Sequence, residues 1–330
     1  MNVLVTGGTG YIGEHFIPRL LENGCYIRLL VRNLEKAKKL FGEKCEYVKG
    51  DVTSRESLCG CCENIDIVFH MVAKTGNQLP SEKNFADFRK VNVEGTENII
   101  NECKRAGIKR FVYVSSTAAM GIVKEKVISE KSQCSPYLPY QITKYEAEQL
   151  VLREYRNHGF PGIIIRPTKV YGVGEHEYSY LTLARICDKK IFLKIGKGMN
   201  YTSNIYITDF VDGLLNLISR GREGEIYILT SDGSISFEDT GKIIARTIGK
   251  SIKMFSVPEK LMIWAAAVEE YIFYMFHKKP IVTKKNIEAT ATDRIYDISK
   301  AKKELDFSPQ VSLEDGIERT VQWYMREGLI

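Results

Sequence analysis

The stretch TGGTGYIG, Thr6–Gly13, decides how the rest of the chain is read. It follows a short apolar run, NVLVT, and leads into GEHFIPRLLEN, whose apolar spacing is helical. Gly7, Gly10 and Gly13 stand at intervals of three. Missing side chains there permit a tight turn, a close backbone approach to an anion, and close packing of helix on strand. The helix that follows offers unpaired N–H groups and the positive end of its dipole, which suits the pyrophosphate of a dinucleotide. Gly7, Gly10, Tyr11, Ile12 and Gly13 are therefore candidate cofactor contacts.

Outward from this turn, strand-like and helix-like runs alternate. CYIRLLV, EYVKG, IDIVFHMVA, RFVYVSS and GIIIRP read as further strands. FRKVNVEGTENIINECKRAG and PYQITKYEAEQLVLREYRNHG read as long helices. Continuous apolar strands separated by helices imply a parallel sheet covered on both faces. The expected fold is α/β: a doubly wound parallel Rossmann sheet with a smaller C-terminal substrate lobe. After Pro167 the elements shorten and Gly, Tyr and polar residues increase. The expected division is a dinucleotide-binding domain over 1–167 and a mostly substrate-binding lobe over 168–330. IYIT and EIYILT, within about 203–230, are expected to serve the main sheet or its edge.

The 330 residues carry 44% hydrophobic and 27% charged side chains, the balance of a globular protein. The formal charge of +6 comes from dispersed lysines and arginines, so no nucleic-acid partner is expected. Met1 runs at once into a strand, with no secretory leader, so a cytoplasmic location and reduced thiols are expected. Cys59, Cys61 and Cys62 look like half a metal site, but no second pair or nearby histidine completes it, and no metal is expected. The longest apolar stretch, Leu261–Phe276, is broken by Glu269 and Glu270 and is shorter than the ~20 residues a spanning helix needs. It reads as an amphipathic helix over a pocket or subunit interface, with a peripheral membrane contact as the alternative.

The second strand bears on the cofactor. An acidic residue about 20 positions past the glycines would hold the ribose hydroxyls of NAD. Here the strand ends Leu30-Val31-Arg32-Asn33. Arg32 can pair with a 2′-phosphate and stack on adenine, so NADP(H) is favoured over NAD(H). Asp51 and Val52, after the third strand, are placed beside the adenine; alternatively Asp51 only caps the next helix.

Hydride transfer at a carbonyl needs a proton donor-acceptor near the oxygen and a group that polarises it. Tyr140 and Lys144, four residues apart, share one face of the helix that begins at PYQITK. A phenol titrates near ~10, and an adjacent ammonium is expected to lower that value. The lysine can also bind the nicotinamide ribose. Tyr274–Lys278 and Tyr296–Lys300 have the same spacing but no such context and are read as surface pairs. RFVYVSSTAAMG ends in hydroxyls at the carboxyl edge of the sheet, where ligands of open α/β folds bind. Ser116 is a candidate donor to the substrate oxygen, whereas Ser115 suits a backbone contact.

Together these segments resemble an extended short-chain dehydrogenase/reductase of the NAD-dependent epimerase/dehydratase superfamily. The resemblance rests on TGGTGYIG, GDV (50–52), VFHMVA, NVEGTENI, VSSTAAMG, Tyr140–Lys144, IRPTKVYG, IYITDF and the closing DISKAKKELDFSPQVSLEDGIERTVQWY. It implies a catalytic set of Ser116, Tyr140 and Lys144. It also implies that Val114 and Ser115 line the nicotinamide site, that Pro167 to Val170 follow it, and that His70 and Ala73 flank the cofactor. His70 reads equally well as a packed strand-end imidazole. A homodimer through the two long helices is a further implication.

Within that superfamily, nucleotide-sugar members usually carry an arginine seven residues before the aspartate of a segment like IYITDF. Thr202 holds that place here, with Lys194 and Lys197 as substitutes. Met120 stands where those enzymes often have tyrosine. The VRN strand end and VPEKLMIWAAAVEEYIFYMFHKKP resemble the dihydroflavonol-reductase, hydroxysteroid-dehydrogenase-like and hopanoid-associated sugar epimerase branch. That likeness implies an apolar or mixed ring substrate, with Trp264 in its cover or in ordinary packing. The expected function is an NAD(P)-dependent oxidoreductase acting on a small-molecule ketone and secondary alcohol pair. Alternatives are a sugar or nucleotide-sugar epimerase/dehydratase that uses the cofactor transiently, and a non-catalytic dinucleotide sensor.

Overall fold

The computed structural model describes residues 1–76, 80–196, 198–275 and 292–330. Seven parallel strands form the central sheet. They are β1 (Asn2–Thr6), β2 (Tyr26–Val31), β3 (Glu46–Lys49), β4 (Ile67–His70), β5 (Arg110–Val114), β6 (Gly162–Pro167) and a late strand, Ile226–Leu229. Their order is Ile226–Leu229, β6, β5, β4, β1, β2, β3. The order reverses between β1 and β4, and the carboxyl ends of those two strands form the crevice in which ligands of this architecture sit. The fold class is thus the expected doubly wound α/β sheet.

Alternate residues of each strand feed opposite faces. Val3 and Val5 join the core beneath helix α1 (Tyr11–Glu22), while Leu4 faces the other side with Phe111 and Ile164. Burial of both faces explains why the strands read as unbroken apolar runs. The second core packs against Ile99, Ile100 and Cys103 of one helix and Ala147, Leu150 and Val151 of another, Pro139–His158.

Two sequence expectations divide here. EIYILT supplies Ile226–Leu229, which pairs parallel with β6. IYIT does not reach the main sheet; Asn204–Tyr206 pairs instead with Lys169–Tyr171 in a two-stranded sheet. The edge beside β6 is already taken, and Ile207 opens the next helix at once. The expected single helix FRKVNVEGTENIINECKRAG is continuous but not uniform. Glu82–Arg89 and Gly95–Ala106 are α-helical, and Lys90–Glu94 between them is a π turn. Such π insertions re-aim a side chain at the cost of regular hydrogen bonding.

The cysteine cluster is packing. Cys61 and Cys62 are buried, and the Cys62 sulfur lies 3.7 Å from that of Cys103. Neighbouring thiols and burial push both pKa values up, so these thiols stay protonated. Among the described residues no group of three or more His, Cys, Asp or Glu side chains is arranged to hold a metal ion. Nor is any described helix long and apolar enough to cross a membrane.

Candidate active site

The glycine turn sits at the sheet reversal. Gly7 has φ +77°, and a Cβ there would lie 3.0 Å from the Met71 carbonyl carbon, so the turn touches the chain leaving β4. A Cβ on Gly13 would lie 2.2 Å from the Gly8 carbonyl oxygen, a contact only glycine avoids. Gly10 begins α1 with no side-chain cap, leaving first-turn N–H groups free for an anion. Tyr11 and Ile12 follow as half-buried residues of the first turn. The turn therefore fits a dinucleotide pyrophosphate on its own geometry.

The adenosine end is built from β2 and β3. Arg32 is exposed just past β2. Asp51 accepts hydrogen bonds from the Thr53 N–H (2.9 Å) and hydroxyl (2.8 Å). Those bonds, and the Arg32 guanidinium after them, hold the Asp51 carboxyl below its usual range. Arg32 and Asp51 are thus electrostatic neighbours. Val52 is buried, and its carbonyl accepts from the Asn98 amide at 2.8 Å. Sequence reading missed Lys36, whose ammonium donates to the Thr9 carbonyl at 2.8 Å and adds a second cation over the glycine turn.

At the other end, helix Pro139–His158 brings Tyr140 and Lys144 to β5. Proline at its first position and Gln141 capping back to the Leu138 N–H fix where it starts. Ser116 follows β5, its hydroxyl accepts from the Ala118 N–H at 3.1 Å, and it stands beside the Tyr140 phenol. Burial pushes the phenol up to about 12, and the neighbouring Ser116 hydroxyl opposes that rise. The expected lowering by Lys144 is not seen. The lysine ammonium is fully buried, donates to the Val114 carbonyl at 2.7 Å, and lies 4.2 Å from the centre of the Tyr113 ring. Its charge is directed at the sheet edge, and burial lowers its own value to about 7, with Glu148 opposing.

Glu148 is one turn further along the same face and completely buried. Its carboxylate accepts from Ser115 (2.5 Å), Arg166 Nε (3.0 Å) and Arg166 Nη2 (2.7 Å). Ser115 therefore bonds a side chain, not the backbone contact expected of it. The π turn has a comparable role. Buried Asn92 accepts from the Lys74 N–H (2.7 Å) and donates to the Thr143 hydroxyl (3.0 Å), tying the loop that carries Ala73 to the Tyr140 helix. Asn92 and Glu148 were missed because neither spacing nor residue type marks a buried partner.

His70 is the packed imidazole. Thr96 gives its proton to the Asn92 carbonyl, so His70 Nε2 donates to Thr96 (3.0 Å) and Nδ1 accepts from Thr6 (2.7 Å). Burial drops its value to about 3, so it stays neutral. Pro167 is buried at the end of β6, and Val170 packs against the core in the strand that pairs with Asn204–Tyr206.

A cleft opens beside the Ser116 turn, lined by Met120, Val123, Ile128, Arg294 and Tyr296. Arg294 was not anticipated. Its N–H donates to the Tyr201 carbonyl at 2.8 Å, and its carbonyl accepts from Ser203 at 3.2 Å. The segment is thereby clamped beside Thr202, where the expected arginine is missing. Lys194 is paired with Glu238 at 2.5 Å, while Lys197 lies outside the described residues. Of the two other tyrosine–lysine pairs, Tyr274–Lys278 has its lysine outside them as well. In the second, Lys300 bonds Glu225 at 2.7 Å while Tyr296 lines the cleft.

Comparison with known proteins agrees with this geometry. The chain is 28% identical to a dTDP-D-glucose 4,6-dehydratase of Mus musculus, over 98% of this chain and 88% of that one. It is 26% identical to the 4-hydroxy-2-methyl-3-oxo-4-farnesyl-3,4-dihydroquinoline-1-oxide ketoreductase of Stigmatella aurantiaca, over 96% and 95% of the two chains. The UDP-glucuronic acid 4-epimerase of Bacillus cereus, solved in complex with NAD, shares the fold with a TM-score of 0.77 at 22% identity over 99% of both chains. The profile of the NAD dependent epimerase/dehydratase family matches residues 3–229, from the first strand through the last strand of the sheet. The protein is an enzyme of that family, an extended short-chain dehydrogenase/reductase built for nicotinamide-dinucleotide chemistry.

Proposed function

We propose that this enzyme interconverts a ketone and a secondary alcohol, with NADP(H) preferred over NAD(H). The observation that carries this reading is the placement of the Ser116 hydroxyl beside the Tyr140 phenol at the carboxyl edge of β5, with Lys144 buried one helical turn away. The nicotinamide, when bound, supplies or accepts the hydride. A phenol held at about 12 keeps its proton at neutral pH, so in the reductive direction Tyr140 Oη is a donor to the substrate oxygen. Ser116 Oγ donates a second hydrogen bond to that oxygen and stabilises the charge that develops there. Lys144, held by the Val114 carbonyl one helical turn from Tyr140, is the anchor for the nicotinamide ribose. Gly7, Gly10, Tyr11, Ile12 and Gly13 hold the pyrophosphate. Arg32 and Lys36 favour the extra phosphate of NADP, with Asp51 and Val52 at the adenine. Ala73, Val114, Ser115, Pro167 and Val170 border the nicotinamide half.

The test is NADPH oxidation across a panel of ketones, wild type beside Tyr140→Phe. Stoichiometric consumption that the variant loses supports the reading; a variant that keeps most of the turnover defeats it.

Arg294 favours a second reading, an epimerase or dehydratase acting on a nucleotide sugar, because its backbone bridges to Thr202, it lines the cleft, and a guanidinium can pair with a diphosphate. Such an enzyme keeps its nicotinamide through purification and consumes no added cofactor. The absorbance of the purified protein separates the two.

A further inference from the structure

Helix Glu259–Met275 is turned inside out. Past Glu259 and Lys260 at its start, its exposed large side chains are apolar: Leu261 (53% exposed), Trp264 (64%), Val268 (38%), Tyr271 (66%), Ile272 (45%) and Met275 (63%). At helical spacing these six fall within about 100° of arc, a single stripe. The opposite side holds buried Ala266, half-buried Met262 and Ile263, and both acids of the helix body, Glu269 and Glu270. Water-facing helices place charges outward and apolar residues inward. Here the only charged residues on the outer side are at the start, with Lys260 exposed beside the stripe.

We propose that this helix docks the enzyme on the surface of an anionic lipid bilayer. From Leu261 to Met275 the helix spans about 21 Å, too short for a hydrocarbon core of about 30 Å, so it lies in the plane of the interface. Trp264 and Tyr271 are the residue types that settle at headgroup depth. Charge favours the anionic leaflet. Lys253 is exposed in the strand entering the helix, and Lys260 follows Glu259 in its first turn. The sequence after it, HKKPIVTKK (277–285), carries four lysines and no acid. Basic groups flanking an apolar stripe add electrostatic attraction to apolar insertion.

A second copy of the chain fits less well. A twofold pairing of two such helices brings their basic flanks together. The proposal is independent of the ketone reading, since it rests on none of the residues of that site.

The full-length enzyme is floated with vesicles of phosphatidylcholine alone and with vesicles containing added phosphatidylserine. The expected result is co-flotation with the anionic vesicles, weakened by salt, and at least a tenfold loss in the Trp264→Ser/Tyr271→Ser variant with an unchanged melting curve. Brominated lipid should quench wild-type tryptophan fluorescence and leave the Trp264→Phe variant unquenched, which locates the contact at the helix. Absence of flotation with either vesicle overturns the proposal. So does a concentration-dependent dimer that the double variant abolishes while lipid binding is absent in both proteins, because the stripe would then be a contact between copies.

Discussion

Two helices of this enzyme break the usual rule of apolar residues in and polar residues out, and they break it in opposite senses. Helix Pro139–His158 buries a lysine, a glutamate and a threonine. Helix Glu259–Met275 exposes leucine, tryptophan and tyrosine. In the first, every inversion has a partner inside the chain: Val114 for Lys144, Arg166 and Ser115 for Glu148, Asn92 for Thr143. In the second, the apolar stripe has no cover from the described residues. A pattern that contradicts burial singles out both helices, and the whereabouts of the partner separates the roles proposed for them.

The sharpest way to break the comparison is at the phenol. Tyr140→Phe removes the only proposed proton donor and should lower turnover about 10²–10⁴-fold while nicotinamide binding, read by fluorescence titration, stays near wild type. Cutting the partnership under the helix should come next. Arg166→Met leaves the Glu148 carboxylate buried without its guanidinium, both side chains being at most 2% exposed. The expected loss is about 3–5 kcal/mol in denaturant unfolding; a loss under 1 kcal/mol would mean the pair is not what holds this face together.

Lys144 supplies a pH signature. Its value is lowered from 10.5 to about 7 by burial. Its ammonium therefore costs stability below about pH 7, and the cost disappears as pH rises toward the unfolded value. Wild type should gain stability relative to Lys144→Met between pH 7 and 10; unfolding midpoints that run parallel across that range would show the lysine is not held this way. At the far end of the site, Arg32→Asp should raise the Michaelis constant for NADPH by about tenfold or more, and a wild type that prefers NADH sinks the proposed cofactor preference. The smallest effect belongs to the second helix. Trp264→Ser should shift unfolding free energy by no more than about 0.5 kcal/mol, because the residue is 64% exposed and little packing is lost.

Much of the fold was legible in the sequence for local reasons. A glycine turn between strand and helix, continuous apolar strands, and a tyrosine and lysine one helical turn apart are all features within a few residues of one another. Ser116, Tyr140 and Lys144 meet because a strand end and a helix start are placed by those local signals. The chemistry of the meeting was not legible. Lys144 bonds the Val114 carbonyl, and burial raises the phenol that the lysine was expected to lower. Solvent exclusion depends on everything packed around a group and leaves no mark on its neighbours in the chain.

The same division holds across the molecule. Sequence alone determined the doubly wound sheet, the dinucleotide turn and the candidate set at β5, because periodicity and turn chemistry are properties of short segments. Only the tertiary structure decided that Arg294 comes to stand beside Thr202, that Glu148 faces Arg166, that Asn92 reaches Thr143 through a π turn, and that Trp264 faces outward. Those pairings join residues far apart along the chain. Their register is set by how sheets and helices pack, and no local pattern encodes that.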